Sequence, residues 1–216
     1  MTRCSLVALA FLLVATHPAA AQDSVVVRGL SFEGNHAIDD YTLSIAIGTT
    51  NSSWFARSGL VRWLGLGEKR LFDPVEFRRD VLRLTLYYRQ SGYMDVVVDT
   101  AVRRGRNDVH LTFKIKEGPP IVVTHMTVTG IDSLPLDGKD VLVDLPLREG
   151  KPFNRFLFQA SADSIITRLK NRGYPSAEVF RNYSVNREQR EAEVSLDVVA
   201  GTRAVFGDAR VEGAQK

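Results

Sequence analysis

The chain is almost without cysteine. Its only one, Cys4, lies ahead of an apolar run, so past that run there is no disulfide, thiolate metal site or thiol nucleophile to consider. Strong charge is also missing: 28 Lys and Arg against 25 Asp and Glu leave a formal net charge of +3. That balance is no nucleic-acid footprint, and no nucleic-acid partner is expected. No apolar stretch reaches the roughly 20 residues of a membrane helix. The run from Leu6 to Val14 follows Arg3 and precedes Ala19-Ala20-Ala21. A basic start, a short apolar segment and an A-x-A site read as a secretory signal peptide over residues 1–21, so the mature chain is expected to begin at Gln22.

The usual signs of catalysis are missing too. His36, His110 and His125 stand at no metal-ligand spacing such as i, i+4. There is no G-x-S-x-G elbow. Gly65-Leu66-Gly67-Glu68 has neither a strand before it nor the Lys-Ser ending of a phosphate loop. Carboxylates are scattered, and Asp73 and Glu76 already have a capping role to fill. No catalytic residue, metal ligand or cofactor is expected, and the chain reads as a binding array, not an enzyme.

What the sequence does contain is a repeat. Leu30-Ser31-Phe32-Glu33-Gly34 matches Met126-Thr127-Val128-Thr129-Gly130, 96 residues on. Both alternate apolar with polar before a glycine, as a half-buried strand does on reaching its exit turn. Phe77, Val81, Leu84 and Tyr88 then fall at helical spacing, as do Phe158, Ala162, Ile165 and Leu169, each 81 residues further on. Each set is one buried face of a helix. Asp73-Pro74-Val75-Glu76 predicts an N-cap, a first-turn proline and a capping-box glutamate, with Asn154 as the cap of the second copy. Gly92 and Gly173 stand where a left-handed C-terminal cap is expected.

Two strands follow each helix, residues 95–103 and 109–115 in the first copy and 177–185 and 192–198 in the second. A shorter helix is expected before each long one, over 39–47 and 137–143. The fold class is therefore α+β: tandem βααββ modules, each a small sheet with two helices on one face. The expected organisation is module 1 over 22–118, module 2 over 119–201, and the first strand of a third module over 202–216. That last strand makes the chain read as the N-terminal part of a longer protein. Module 1 carries 15 extra residues in the region 51–67. Trp54, Phe55, Trp63 and Leu64 there are expected to extend the core or to form a docking insertion. Arg78-Arg79 and Arg103-Arg104-Gly105-Arg106 are basic clusters, read as solvated, with acidic lipid headgroups or an acidic neighbouring subunit as the alternative.

The βααββ order resembles the polypeptide-transport-associated (POTRA) modules of outer-membrane β-barrel assembly proteins of the BamA/TamA type. So do Phe72-Asp73-Pro74 leading to a helix that ends in Gly92-Tyr93, and the junction Glu117-Gly118-Pro119-Pro120. The resemblance spans nearly all of residues 25–216. It implies three-stranded mixed sheets and a location on the periplasmic side of the bacterial outer membrane. It also implies a role in binding unfolded outer-membrane protein precursors by β-strand augmentation and passing them to a C-terminal barrel that this chain does not contain. Accessory assembly subunits are further implied partners, and the membrane is reached through that barrel. The second strand of each module is the implied edge, mapping to Asp95, Val96, Val97, Val98, Asp99 and Thr100 in module 1. In module 2 it maps to Ala177, Glu178, Val179, Phe180 and Arg181. Proline at Val97 is expected to remove a ladder donor and so to lower crosslinking of a precursor peptide to a stably folded chain. Two other functions stay open: the periplasmic part of a two-partner secretion transporter, and the targeting arm of a periplasmic enzyme.

Overall fold

A computed structural model describes residues 25–50, 70–132, 134, 138–205 and 207. The predicted signal peptide, the aromatic insertion with Trp54, Phe55, Trp63 and Leu64, and the strand expected near 209–213 lie outside the described residues.

The first module runs β1 (Val26–Glu33), α1 (Asp40–Ala46), α2 (Pro74–Gln90), β2 (Val97–Arg104) and β3 (Asp108–Lys116). The second runs β4 (Val122–Thr129), α3 (Gly138–Leu142), α4 (Arg155–Lys170), β5 (Glu178–Asn186) and β6 (Glu191–Val199). Each makes a three-stranded mixed sheet, ordered β1-β3-β2 and β4-β6-β5. The last strand of a module lies in the middle, parallel to the first and antiparallel to the second.

Each module has its own core. Phe77, Leu84 and Tyr88 of α2 bury against Val109, Leu111 and Phe113 of β3. Phe158, Ala162, Ile165 and Leu169 of α4 bury against Ala192, Val194 and Leu196 of β6. Burying one such large side chain contributes about 1.5–3 kcal/mol, so the helical stripe and the alternating strand select each other.

The long helices begin and end as their sequences predict, with one exception. Asp73 accepts from the Val75 and Glu76 amides, and Asn154 from those of Phe156 and Leu157. At the other end Tyr93 N donates to Tyr88 O (2.9 Å) and Tyr174 N to Leu169 O (3.1 Å). These are the six-to-one bonds of a Schellman cap, with Gly92 (φ 97°) and Gly173 (φ 92°) left-handed as the motif requires. The exception is Glu76. Its carboxylate is taken by Arg83 and Arg79 and does not close a capping box. An arginine one or two turns along the helix offers a charge-assisted bond, which outcompetes the backbone N–H.

The modules meet through backbone. Ile121 N donates to Gly92 O (2.8 Å). Met94 packs on the core of module 2, and Tyr87 stacks on Phe156 with ring centroids 5.2 Å apart.

Candidate functional site

Each sheet has two outer strands, and the chain treats them differently. The outer side of β1 is stitched by the segment entering α2: Val27 N donates to Arg70 O (2.9 Å) and Phe72 N to Val25 O (2.8 Å). Module 2 repeats the stitch on β4. There Val123 N donates to Lys151 O (2.9 Å) and Gly150 N to Val123 O (2.8 Å), while Met126 N is taken by Glu149 Oε1 (2.7 Å). The opposite edges, β2 and β5, pair only with the central strand of their own sheet. No segment among the described residues lies along their free sides.

Register decides which residues of a free edge face outward. Gly105 N donates to Asp108 O (2.8 Å) at the β2–β3 hairpin, so this pair is of the hydrogen-bonded kind, and the kinds alternate along an antiparallel ladder. Counting back through the register, Val97, Asp99, Ala101 and Arg103 bond to β3. Val98, Thr100, Val102 and Arg104 turn their N–H and C=O groups outward. Proline at Val97 would therefore break a bond to β3 and leave the free side intact, contrary to the expectation from the sequence. The equivalent outward residues of β5 are Val179, Arg181, Tyr183 and Val185.

The two edges differ in chemistry. On β2, Thr100 N donates to the carboxylate of its own neighbour Asp99 (2.7 Å), so one outward donor is already taken. The corresponding residue on β5 is Phe180, which offers no acceptor. Tyr183 of β5 sits 5.0 Å from Phe153 and 6.3 Å from Phe158 between ring centroids, with Arg155 at 5.4 Å over its face. This cluster fastens the free edge of module 2 to the start of α4 and leaves Tyr183 nearly half exposed beside it.

The residues mapped to the edges from the sequence divide accordingly. Val97, Val98, Asp99 and Thr100 lie in β2, and Glu178, Val179, Phe180 and Arg181 in β5. Asp95 instead occupies the turn before β2, against Gly118. Val96 and Ala177 are buried in their module cores ahead of the strands. Val96 belongs to an apolar run continuous with the strand and Ala177 directly precedes its strand, and each strand begins one residue later. The aromatic cluster around Tyr183 and the stitched first edges were not anticipated. An aromatic residue in an alternating strand is a readable signal, whereas a stitch made by backbone atoms leaves none.

Two copies of a βααββ unit in series, each with one sheet edge stitched and one left free by the described residues, define a class of small tandem α+β modules. The chain belongs to the POTRA family, described as surface antigen variable number repeat, which matches residues 25–118 and 121–201. Over 196 residues it is 22% identical to outer membrane protein assembly factor BamA of Neisseria meningitidis serogroup B, covering 89% of this chain and 24% of that protein. Among solved structures it is similar to POTRA3-5 of Haemophilus influenzae BamA, with 21% identity, a TM-score of 0.45, and coverage of 88% of this chain and 72% of that one. It is also similar to the N-terminal domain of Omp85 from Thermosynechococcus elongatus, with 19% identity, a TM-score of 0.39, and coverage of 82% and 63%. Among the described residues no helix is long and apolar enough to cross a membrane.

Proposed function

We propose that this chain is the periplasmic, precursor-binding part of an outer-membrane protein assembly factor. In this reading it holds unfolded β-barrel precursors as added strands on β2 and β5 and delivers them to a barrel. The observation that carries the proposal is the asymmetry of the sheets: in both modules the first edge is stitched by the chain itself and the second is free. An edge strand with unpaired N–H and C=O groups is a template for an extended partner. Main-chain bonds are indifferent to side-chain identity, which suits a site that takes many precursors. Membership in the POTRA family and similarity to BamA support the same reading.

Proline at an outward position tests it, because such a residue contributes no bond to the central strand. Arg181→Pro and Val102→Pro should each leave the modules folded by circular dichroism. Crosslinking of a precursor-derived β-strand peptide to the altered edge should drop several-fold, the equivalent of one or two main-chain bonds at about 1 kcal/mol each. Folded variants that crosslink as well as the parent chain would overturn the assignment.

A further inference from the structure

The solvent side of α2 is unlike that of its counterpart in module 2. On the face opposite the core, Val75, Leu82 and Leu86 form a line of exposed apolar side chains, with Leu82 and Leu86 each more than half exposed. Arg78, Arg79 and Arg89 flank that line and are exposed as well. The same positions of α4, 81 residues on, hold Phe156, Gln159, Ala160, Asp163, Thr167 and Lys170. Of these Phe156 is already stacked on Tyr87, and Gln159 bonds Asp163 (2.8 Å). The repeat thus supplies its own control. The fold is satisfied by a polar outer face, so the leucines of α2 answer to something other than folding.

The charges say what that is. Arg79 is partly neutralised by Glu76 at 3.1 Å, while Arg78 and Arg89 carry no ion pair among the described residues. The helix's own carboxylates are spent elsewhere: Asp80 is buried, and both it and Glu76 bind Arg83. The face is therefore apolar and basic with no free acid on it. The chain's own apolar segment, residues 51–69, is a poor occupant, because its Arg57, Arg62 and Lys69 outnumber its single Glu68 and would add like charge. A fluid surface that supplies both acyl chains and phosphates matches a line of apolar side chains bordered by exposed guanidinium groups. An apolar stripe bordered by arginines is the pattern of a helix lying in a lipid headgroup region, its stripe among the acyl chains and its guanidinium groups on phosphates.

We infer that the outer face of α2 is a docking surface for an anionic phospholipid bilayer, holding module 1 against the membrane.

Vesicle flotation of the chain from Gln22, which keeps both modules whole and omits the apolar leader, tests this. The chain should float with phosphatidylcholine vesicles containing phosphatidylglycerol and not with phosphatidylcholine alone. Giving α2 the residues of module 2, Leu82→Asp with Leu86→Thr, should cut binding at least tenfold at unchanged melting temperature. Arg78→Gln with Arg89→Gln should do the same. No flotation of the parent chain, or equal flotation of both variants, overturns the inference. A clear drop in melting temperature for the leucine variant means that these side chains are covered within the chain, which also overturns it. So does a concentration-dependent dimer abolished by that variant, since a second copy is then the occupant. Binding that needs the arginines but not the leucines is simple charge attraction, which an acidic protein satisfies equally, and it too defeats the lipid assignment.

Discussion

Asp80 and Ser161 stand at the same point of the two long helices and do the same work with different chemistry. Asp80, fully buried, accepts from Gly48 N and Thr49 N at 2.8 Å each, and Ser161 Oγ accepts from Leu147 N at 2.9 Å. Each side chain ties the segment after the short helix to the long one. A buried N–H left without a partner costs about 1–3 kcal/mol. Asp80→Ala, which orphans the buried Thr49 N–H and leaves that of the exposed Gly48 to water, is expected to destabilise module 1 by about 2 kcal/mol in denaturant unfolding. Ser161→Ala should cost module 2 about half as much. Glu76 adds a pH dependence. The hydrogen bonds from Arg83 and Arg79 lower its pKa below the ordinary 4.5. A group whose pKa is depressed by folding stabilises above its unfolded pKa and loses that contribution as pH falls through the folded one. Module 1 should therefore weaken as pH drops below about 4.5, and Glu76→Gln should flatten that part of the profile. The equivalent residue in module 2 is Leu157, which has nothing to titrate. Acid unfolding followed separately in the two modules checks the contrast.

At the scale of elements, the edge strands show how much of a docking surface can be read in advance. The alternation that places β2 and β5 was legible, because a strand with one buried face must repeat with period two. Which of their backbone groups point outward was not, since that follows from the hairpin bond between Gly105 and Asp108 and not from any side chain. The guard on β2 is similarly local and similarly hidden. Asp99 holds the Thr100 N–H that an incoming strand would need, so Asp99→Ala should raise peptide crosslinking to β2 and leave β5 unchanged. Equal crosslinking of parent and variant would show that the carboxylate yields freely to a docking strand. The burial of Val96 and Ala177 makes the complementary point. Both were assigned to the edges by the family resemblance, and both are buried in the core just ahead of the point where the strand begins.

For the whole molecule, the decisive feature is the junction. Gly92 closes α2 in a left-handed conformation, and a Cβ there would stand 2.8 Å from Phe153 O, so both the cap and the close approach of module 2 exclude a side chain. The same backbone contact recurs at the end of module 2, where Ala204 N donates to Gly173 O (2.8 Å). The aromatic stack does not recur, because the counterpart of Tyr87 is Arg168, whose guanidinium binds Val141 O and Val143 O. Gly92→Ala is expected to destabilise the chain by about 1 kcal/mol or more. It should also broaden the distribution of distances between spin labels placed one on each module. A distribution as narrow as that of the parent would show that the glycine does not set the angle.

The order of elements, the two helical stripes, the caps at Asp73, Asn154, Gly92 and Gly173 and the tandem repeat were all determined by sequence alone. Each rests on short-range periodicity or on the conformational preference of one residue. Tertiary structure alone decided which sheet edge is stitched and which is free, which amides of that edge face outward, and how the modules abut. Those outcomes are made by backbone atoms meeting across long stretches of chain, and backbone atoms are the same whatever residue carries them.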